Sequence, residues 1–223
     1  MKSAPQELRR QSRNRIAHLK DTLNSPCNFD CENKVWLKMA KEILKQNQIN
    51  IYVFAEAIRS LLEHGQGKNR NIMIVGPSKC GKTFLIQPLT KIYDAFENSS
   101  SNKYAFVGVE NKELIFLNDL RWNSEMIPWQ EFLNLLEGQT VHLAAPKTHY
   151  AKDICIAYDL PIFSTSISMI KYTGKSDNAQ GENAMMEARW RTFELHVKIP
   201  TESQKDVEGC ARCFAELCFI GDD

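Results

Sequence analysis

The feature that most constrains this chain is an eight-residue stretch that follows a short apolar run at positions 72–75. It fits the pattern G-x-x-x-x-G-K-[ST] of a phosphate-binding loop. In such a loop the glycines let backbone N–H groups turn toward phosphate oxygens, and the following helix points its N-terminus at the same anion. We therefore expect Lys82 to reach the β- and γ-phosphates and Thr83 to bind Mg²⁺. The full set of candidate ligand-binding residues is Gly76, Pro77, Ser78, Lys79, Cys80, Gly81, Lys82 and Thr83.

A second apolar run, at positions 114–117, ends in Asn118 and Asp119. A short run of this kind is typical of a buried parallel strand, and the carboxyl ends of such strands face the ligand crevice. Asp119 is thus expected to hold Mg²⁺ directly or through water. Strands that end in an acid are common, so this prediction depends on its pairing with the loop at 76–83.

Helical periodicity dominates the region before the loop. Apolar residues recur at i, i+3, i+4 and i+7 in two segments, with Asn50 as the expected N-cap of the second and Gly65 as its end. Pro128 opens a further helix that Gly138 ends. Pro88 falls near the seventh position of the loop's own helix, where a proline removes a hydrogen bond and kinks the helix at a cost of ~3 kcal/mol.

The region after position 138 has the periodicity of strands. Residues 140–156 alternate loosely around a turn-like stretch, which predicts a β-hairpin with Lys147 and His149 near its tip. A buried strand is expected from position 160, running into Ser166. Strict alternation from 192 to 199 predicts a half-buried edge strand that Pro200 closes.

The seven cysteines are odd in number and scattered, so they do not predict a disulfide framework. Cys27 and Cys31 have no adjacent pair that would complete a metal site. Cys210, Cys213 and Cys218 have an incomplete zinc spacing that also fits a helix packing cysteine as a small apolar residue, and we favour the helix.

Composition and charge restrict the class of protein. No apolar run approaches the roughly 18 residues of a membrane span, and the net charge is +1. Residues 1–20 carry six basic side chains against one acid, so this leader could contact nucleic acid, act as an import signal, or be a solvated tail. A cysteine inside a phosphate loop suits a reducing compartment. We expect an intracellular protein, with the nucleus suggested by the leader.

The order of these features resembles the superfamily 3 helicases of small DNA viruses and related mobile elements, among them parvovirus nonstructural proteins and papillomavirus replication helicases. The resemblance covers roughly residues 69–199. Its most telling parts are the stretch 136–142 that leads into the hairpin and the stretch 160–166. It implies an α/β fold of the P-loop NTPase type, similar to AAA+ proteins, with a five-stranded parallel sheet flanked by helices and preceded by a helical segment.

The resemblance also implies ligands and roles. Residues 76–83 would bind ATP and Mg²⁺, and Lys147 and His149 resemble the hairpin residues that line the channel of a hexameric ring and track single-stranded DNA. Arg189, or else Arg191, resembles the arginine finger that inserts into the ATP site of the neighbouring subunit. The alternative interpretations stay open: the hairpin tip could be an ordinary exposed turn, and Arg189 could be a surface residue or a partner of an acid at 182 or 187.

Two positions depart from the family pattern. Asn118 stands where the family usually has an acid, and Ser166 stands where it has a sensor asparagine. A serine hydroxyl has a shorter reach than an asparagine amide, so nucleotide binding is a firmer expectation than hydrolysis. The candidate catalytic set is Lys82, Asn118, Asp119, Ser166 and Arg189.

These expectations divide the chain into four parts. Residues 1–33 form a basic polar leader that is mostly flexible, and 34–68 form a helical segment that packs on the core or serves as an oligomerisation collar. Residues 69–200 form the ATPase domain, and 201–223 a C-terminal helical tail. The function expected is an ATP-dependent, ring-forming DNA helicase or replication ATPase. The alternatives are a nucleotide-binding DNA scaffold with degenerate catalysis, and a small-molecule kinase, which leaves the hairpin and the distal arginine unexplained.

Overall fold

A parallel five-stranded sheet forms the centre of the molecule. The computed structural model describes residues 14–28, 31–97, 104–145, 153–157, 159–174, 178–200 and 207–221. The sheet has the order β2-β3-β6-β1-β7, and every neighbouring pair is parallel. Its strands are β1 (Asn71–Val75), β2 (Ala95–Glu97), β3 (Leu114–Leu117), β6 (Ile162–Ser166) and β7 (Trp190–Glu194). The predicted five-stranded parallel sheet is thus confirmed.

Helices cover both faces of this sheet, and a separate hairpin extends from it. The helices are α1 (Arg15–Leu23), α2 (Val35–Gln46), α3 (Ile51–His64), α4 (Lys82–Ile86), α5 (Leu89–Ile92), α6 (Trp129–Glu137), α7 (Ala179–Glu187) and α8 (Ala211–Cys218). Strands β4 (Val141–Leu143) and β5 (Ile154–Ile156) pair antiparallel, which confirms the predicted hairpin. Within the described ranges, no helix is long and apolar enough to cross a membrane.

The alternation of side chains in β1 divides the core into two clusters. Ile72 and Ile74 face a cluster formed with α1 to α5 and α8, whereas Met73 faces a second cluster formed with α6, the hairpin and α7. All three side chains are fully buried. Because both faces are covered, β1 is apolar throughout its centre, as a central parallel strand requires.

The predicted helix boundaries agree with the structure at several points. Asn50 caps α3, and its Oδ1 accepts hydrogen bonds from the backbone N–H groups of Tyr52 and Val53. Gly65 ends α3 with a φ of 68°. Pro88 separates α4 from α5, because proline cannot donate the hydrogen bond that would continue α4.

The N-terminal leader differs from the sequence expectation. Residues 15–23, within the segment expected to be mostly flexible, form helix α1, whose first N–H groups donate to the side chain of Asn14. Leu19 of α1 is fully buried. The helix is joined to the core by Arg15, whose Nε donates to the carbonyl oxygen of Leu62 at 2.8 Å, and by Tyr93, whose hydroxyl donates to the Arg15 carbonyl oxygen.

Candidate phosphate-binding site

The loop at 76–83 lies at the carboxyl edge of the sheet, between the end of β1 and the start of α4. One of its two glycines is required by space and the other mainly by its backbone conformation. A Cβ on Gly76 would lie 2.2 Å from the carbonyl oxygen of Leu195, and a Cβ on Gly81 would lie 2.8 Å from Cδ1 of Ile43. Gly81 also has a φ of 92°, which side-chain-bearing residues rarely adopt. The loop therefore packs so closely against Leu195 and Ile43 that a side chain at Gly76 or Gly81 would force a rearrangement.

Hydrogen bonds hold both ends of the loop. The Gly76 N–H donates to the carbonyl oxygen of Ser166 at 3.1 Å, which extends the pairing of β1 with β6. On the other side, the Ile199 N–H donates to the carbonyl oxygen of Lys79 at 2.8 Å. The loop is thus fixed between β6 and the segment that follows β7.

Lys82 lies inside the loop and is only 9% exposed. Its Nζ donates to the carbonyl oxygens of Gly76 at 2.7 Å and Pro77 at 2.8 Å, so its charge is at the centre of the turn. In the parts of the chain that the structure describes, no hydrogen-bond acceptor is paired with the backbone N–H groups of residues 79–83. A buried ammonium and a run of unpaired N–H groups give this turn a positive charge and free donors, which suit an anion.

Asn118 joins the loop to the neighbouring strands. Its Oδ1 accepts hydrogen bonds from the hydroxyl of Thr83 at 2.8 Å and from the hydroxyl of Thr165 at 2.9 Å. The Thr165 hydroxyl in turn accepts from the Asp119 N–H at 2.7 Å. These contacts bring α4, β3 and β6 together at a single amide oxygen.

The backbone N–H of Asp119 belongs to this network, but its carboxylate lies outside it. Its side chain is 59% exposed, its carboxylate lies 3.9 Å from the guanidinium of Arg121, and its φ is 51°. Aspartate adopts this left-handed conformation more easily than most residues. Of the two residues that follow β3, it is therefore Asn118 that touches the hydroxyl expected to bind Mg²⁺.

Ser166 is at the predicted edge but its hydroxyl is engaged with the backbone. Its Oγ lies 3.1 Å from the carbonyl oxygen of Leu120 and 2.7 Å from that of Ser168, and the residue is 5% exposed. The sequence pattern pointed to Ser166, whereas the hydroxyl that contacts Asn118 belongs to Thr165. Neighbouring strand residues point to opposite faces, so only the register of β6 decides which hydroxyl faces Asn118.

Arg189 is inside the fold, at the opposite end of the sheet from the loop. It is 7% exposed, its Nε donates to the carbonyl oxygen of Leu133 at 3.0 Å, and its guanidinium pairs with Glu137 at 3.1 Å. The expected finger needs a guanidinium that reaches out of its own subunit, whereas this one is satisfied within its own core. Its acidic partner is also neither of the two that the sequence suggested. The alternative, Arg191, is partly exposed and pairs with Glu56 at 3.2 Å.

Glu137 forms ion pairs with two cations, Arg189 and Lys68. Burial alone would raise the pKa of its carboxyl group, but hydrogen bonds and charge from Lys68 and Arg189 lower the pKa below its ordinary value. The distance between Lys68 Nζ and Glu137 Oε1 is 3.1 Å. These ion pairs join the segment before β1 to α6 and to the residue before β7, so their role is structural.

The remaining predicted site residues, Lys147 and His149, lie outside the described residues. Both strands of the hairpin that would carry them, β4 and β5, are within the described residues. Their assignment to nucleic acid therefore stays a prediction.

Comparison with known proteins gives a likeness in structure. No protein-family model matches the chain, and a search of curated proteins finds no match. Two solved structures of JCV helicase are similar to it, one of them bound to an acetamide compound, with TM-scores of 0.54 and 0.51 at 13% and 14% sequence identity. They cover 86% and 87% of this chain. The C-terminal region of NrS-1 aligns at a TM-score of 0.46 and 13% identity over 82% of this chain and 42% of its own.

The likeness to JCV helicase is one of fold. This chain spans 56% of the length of each of those helicase chains, and the low identity carries no information about individual residues. The chain thus has an α/β, helicase-like fold, with the loop at 76–83 at the carboxyl edge of its parallel sheet.

Proposed function

We propose that this chain is an ATP-binding, P-loop ATPase of the superfamily 3 helicase type that acts on single-stranded DNA as a ring oligomer. The observation that carries the proposal is the arrangement at the carboxyl edge of the sheet. There the loop brings together Lys82, the unpaired N–H groups of residues 79–83 and the hydrogen-bonded pair Thr83 and Asn118. A triphosphate with Mg²⁺ matches this set of positive and hydroxyl groups. The helicase-like fold supports the same assignment.

In this proposal the residues have separate tasks. The N–H groups of the loop and Lys82 bind the β- and γ-phosphates, and Thr83 presents its hydroxyl to Mg²⁺. Asn118 orients that hydroxyl through its 2.8 Å hydrogen bond. Asp119 is the nearby carboxylate that can hold a water in the outer coordination sphere of the metal or accept a proton. Lys147 and His149 of the hairpin are proposed to contact DNA.

A second candidate function is a nucleotide-binding DNA scaffold with slow or absent turnover. The position of Asn118 favours it, since the residue that touches Thr83 carries an amide where a carboxylate would stabilise the metal. The placement of Arg189 favours it too, because an arginine finger contributes about 10³ to 10⁵ in rate and this arginine is held inside its own subunit.

The deciding experiment measures binding and turnover separately. Lys82→Ala should abolish binding of ATP with Mg²⁺, because the substitution removes the charge at the centre of the loop. Lys91→Ala is the matched control, since Lys91 lies on α5 and pairs with Glu208 at 2.8 Å. Unchanged ATP affinity in Lys82→Ala would overturn the phosphate site.

Turnover then separates the two candidate functions. A helicase requires ATP hydrolysis that single-stranded DNA stimulates, and Lys147→Ala should lose the stimulation while keeping the basal rate. A scaffold binds ATP and DNA with negligible hydrolysis in every variant. DNA affinity should fall by about 0.7 log units per log unit of salt for each phosphate neutralised. A response independent of salt would count against the hairpin contact.

A further inference from the structure

Four cysteines from the two ends of the described chain meet at one point. Cys27 and Cys31 lie between α1 and α2, and Cys210 and Cys213 lie at the start of α8. Their sulfur atoms all lie within 4.8 Å of one another. Cys31, Cys210 and Cys213 are buried, and Cys27 is partly exposed. Each pair looked incomplete in the sequence, and the fold brings the two pairs together.

The distances between these sulfurs fit a shared metal ion. Cys213 Sγ lies 3.6 Å from Cys27 Sγ and 3.5 Å from Cys31 Sγ. A tetrahedral zinc site with Zn–S bonds of about 2.3 Å has sulfurs about 3.8 Å apart. A disulfide needs about 2.05 Å. A space limited to 4.8 Å holds one ion and not a cluster of several iron and sulfide ions.

The local structure directs the sulfurs inward. The two pairs have the spacings C-x₃-C and C-x₂-C, both within the range usual for structural zinc sites. The Cys31 N–H donates to the carbonyl oxygen of Asn28 at 2.9 Å, and the Asn28 side chain donates to the carbonyl oxygen of Gly209 at 3.2 Å. The second of these bonds joins the two cysteine segments directly beside the sulfurs.

Charged groups next to the cluster suit four thiolates. Arg212 interacts electrostatically with Cys27 and pairs with Glu216, which also accepts from Lys34 at 2.7 Å. Four thiolates around Zn²⁺ leave a net negative charge, and neighbouring cations stabilise it.

We propose that Cys27, Cys31, Cys210 and Cys213 bind one Zn²⁺ tetrahedrally and that the metal ties the segment before α2 to helix α8. The four thiolates fill all four coordination positions of the ion. The site is therefore structural, with no open position for a reacting water. Cys27 and Cys213 are 186 residues apart, so the ion closes nearly the whole chain into a loop. This proposal is independent of nucleotide binding.

The test is metal analysis of the full chain purified under reducing conditions without chelators. Elemental analysis by mass spectrometry should find one zinc per chain. Co²⁺ in place of zinc should give the charge-transfer and d–d absorption of a tetrahedral cobalt thiolate. Both measurements use the wild-type protein, so they decide the question even if a cysteine variant does not fold.

Variants then identify the ligands. Cys31→Ser and Cys213→Ser should lose the zinc, whereas Cys218→Ser, a buried cysteine of the same helix, and Cys155→Ser, an exposed one in the hairpin, should keep it. Cys27→His should retain the metal, because imidazole is also a zinc ligand, but its cobalt spectrum should change to that of three thiolates and one nitrogen.

Several results would overturn the proposal. Wild-type protein that contains no zinc and gives no cobalt thiolate spectrum has no such site. Iron in the freshly purified chain would overturn the choice of metal. Full zinc occupancy in Cys213→Ser would overturn the choice of ligands.

Discussion

Replacing Asn118 by aspartate should make nucleotide binding strongly dependent on Mg²⁺. The amide oxygen of Asn118 accepts from Thr83 and Thr165 at 2.8 and 2.9 Å, and a carboxylate of the same shape keeps both contacts. A hydrogen bond to a charged group contributes about 1.5–3 kcal/mol net, against about 0.5–1.5 kcal/mol for a neutral one. Because residue 118 is exposed, solvent screening weakens the charged hydrogen bonds. We therefore expect them to exceed the neutral ones only by the low end of the difference between the two ranges.

The sign of the effect should change with the metal. With Mg²⁺ present, the new carboxylate can also hold the ion or its water, and we expect ATP to bind about tenfold more tightly, equal to about 1.4 kcal/mol. Without Mg²⁺, the carboxylate repels the triphosphate. At a separation of about 6 Å in water this costs about 0.7 kcal/mol, or about threefold in affinity.

Titration calorimetry with ATP, with and without MgCl₂, measures both arms. The metal-free arm should use metal-depleted buffer and no chelator, since a chelator would also remove zinc bound by the four cysteines. Asn134→Asp on α6 is a control that adds the same charge away from the loop. An equal change in affinity with and without Mg²⁺, or no change, would refute the placement of residue 118 at the metal.

Two further substitutions test the fold around the site. Glu137→Gln should destabilise the protein by about 2 kcal/mol at neutral pH, because it leaves Arg189 unpaired in the interior. The folded-state pKa of Glu137 is lowered, so its contribution is present above the unfolded pKa and disappears as the pH falls through the folded pKa. Denaturant unfolding of both proteins over that acidic range should show the difference vanish, and a difference independent of pH would contradict the ion pair. Trp36→Ala should cost about 3–5 kcal/mol in the same assay, whereas Trp36→Phe should cost much less, since the indole N–H has no acceptor among the described residues. Equal losses in the two variants would show that this N–H is bonded.

The elements that sequence predicted well are those whose signals are local. The caps of α3, the break at Pro88 and the end of α6 at Gly138 depend on residues within one turn of the feature. Strand β2 was not predicted, because three residues at the sheet edge are too few to show a period. Helix α1 was also missed, since its polar composition hides the single fully buried Leu19.

The parts of the site that sequence could not predict depend on distant residues. The loop at 76–83 is contiguous, so its pattern is complete in the sequence. The choice of Asn118 over Asp119 and of Thr165 over Ser166 depends on how β3 and β6 end beside α4. The four-cysteine cluster depends on contact between the two ends of the chain, and no periodicity within either pair reports that contact.

Helix α2 connects the cysteine cluster to the phosphate loop. It begins four residues after Cys31, and its Trp36 stacks on Phe84 of α4 with 5.4 Å between the ring centroids. Near its other end, Ile43 lies directly beneath Gly81. The helical segment before residue 69 therefore shares one hydrophobic core with the loop that it precedes. An ion that holds Cys31 in place would therefore also restrain the helix that packs against the loop.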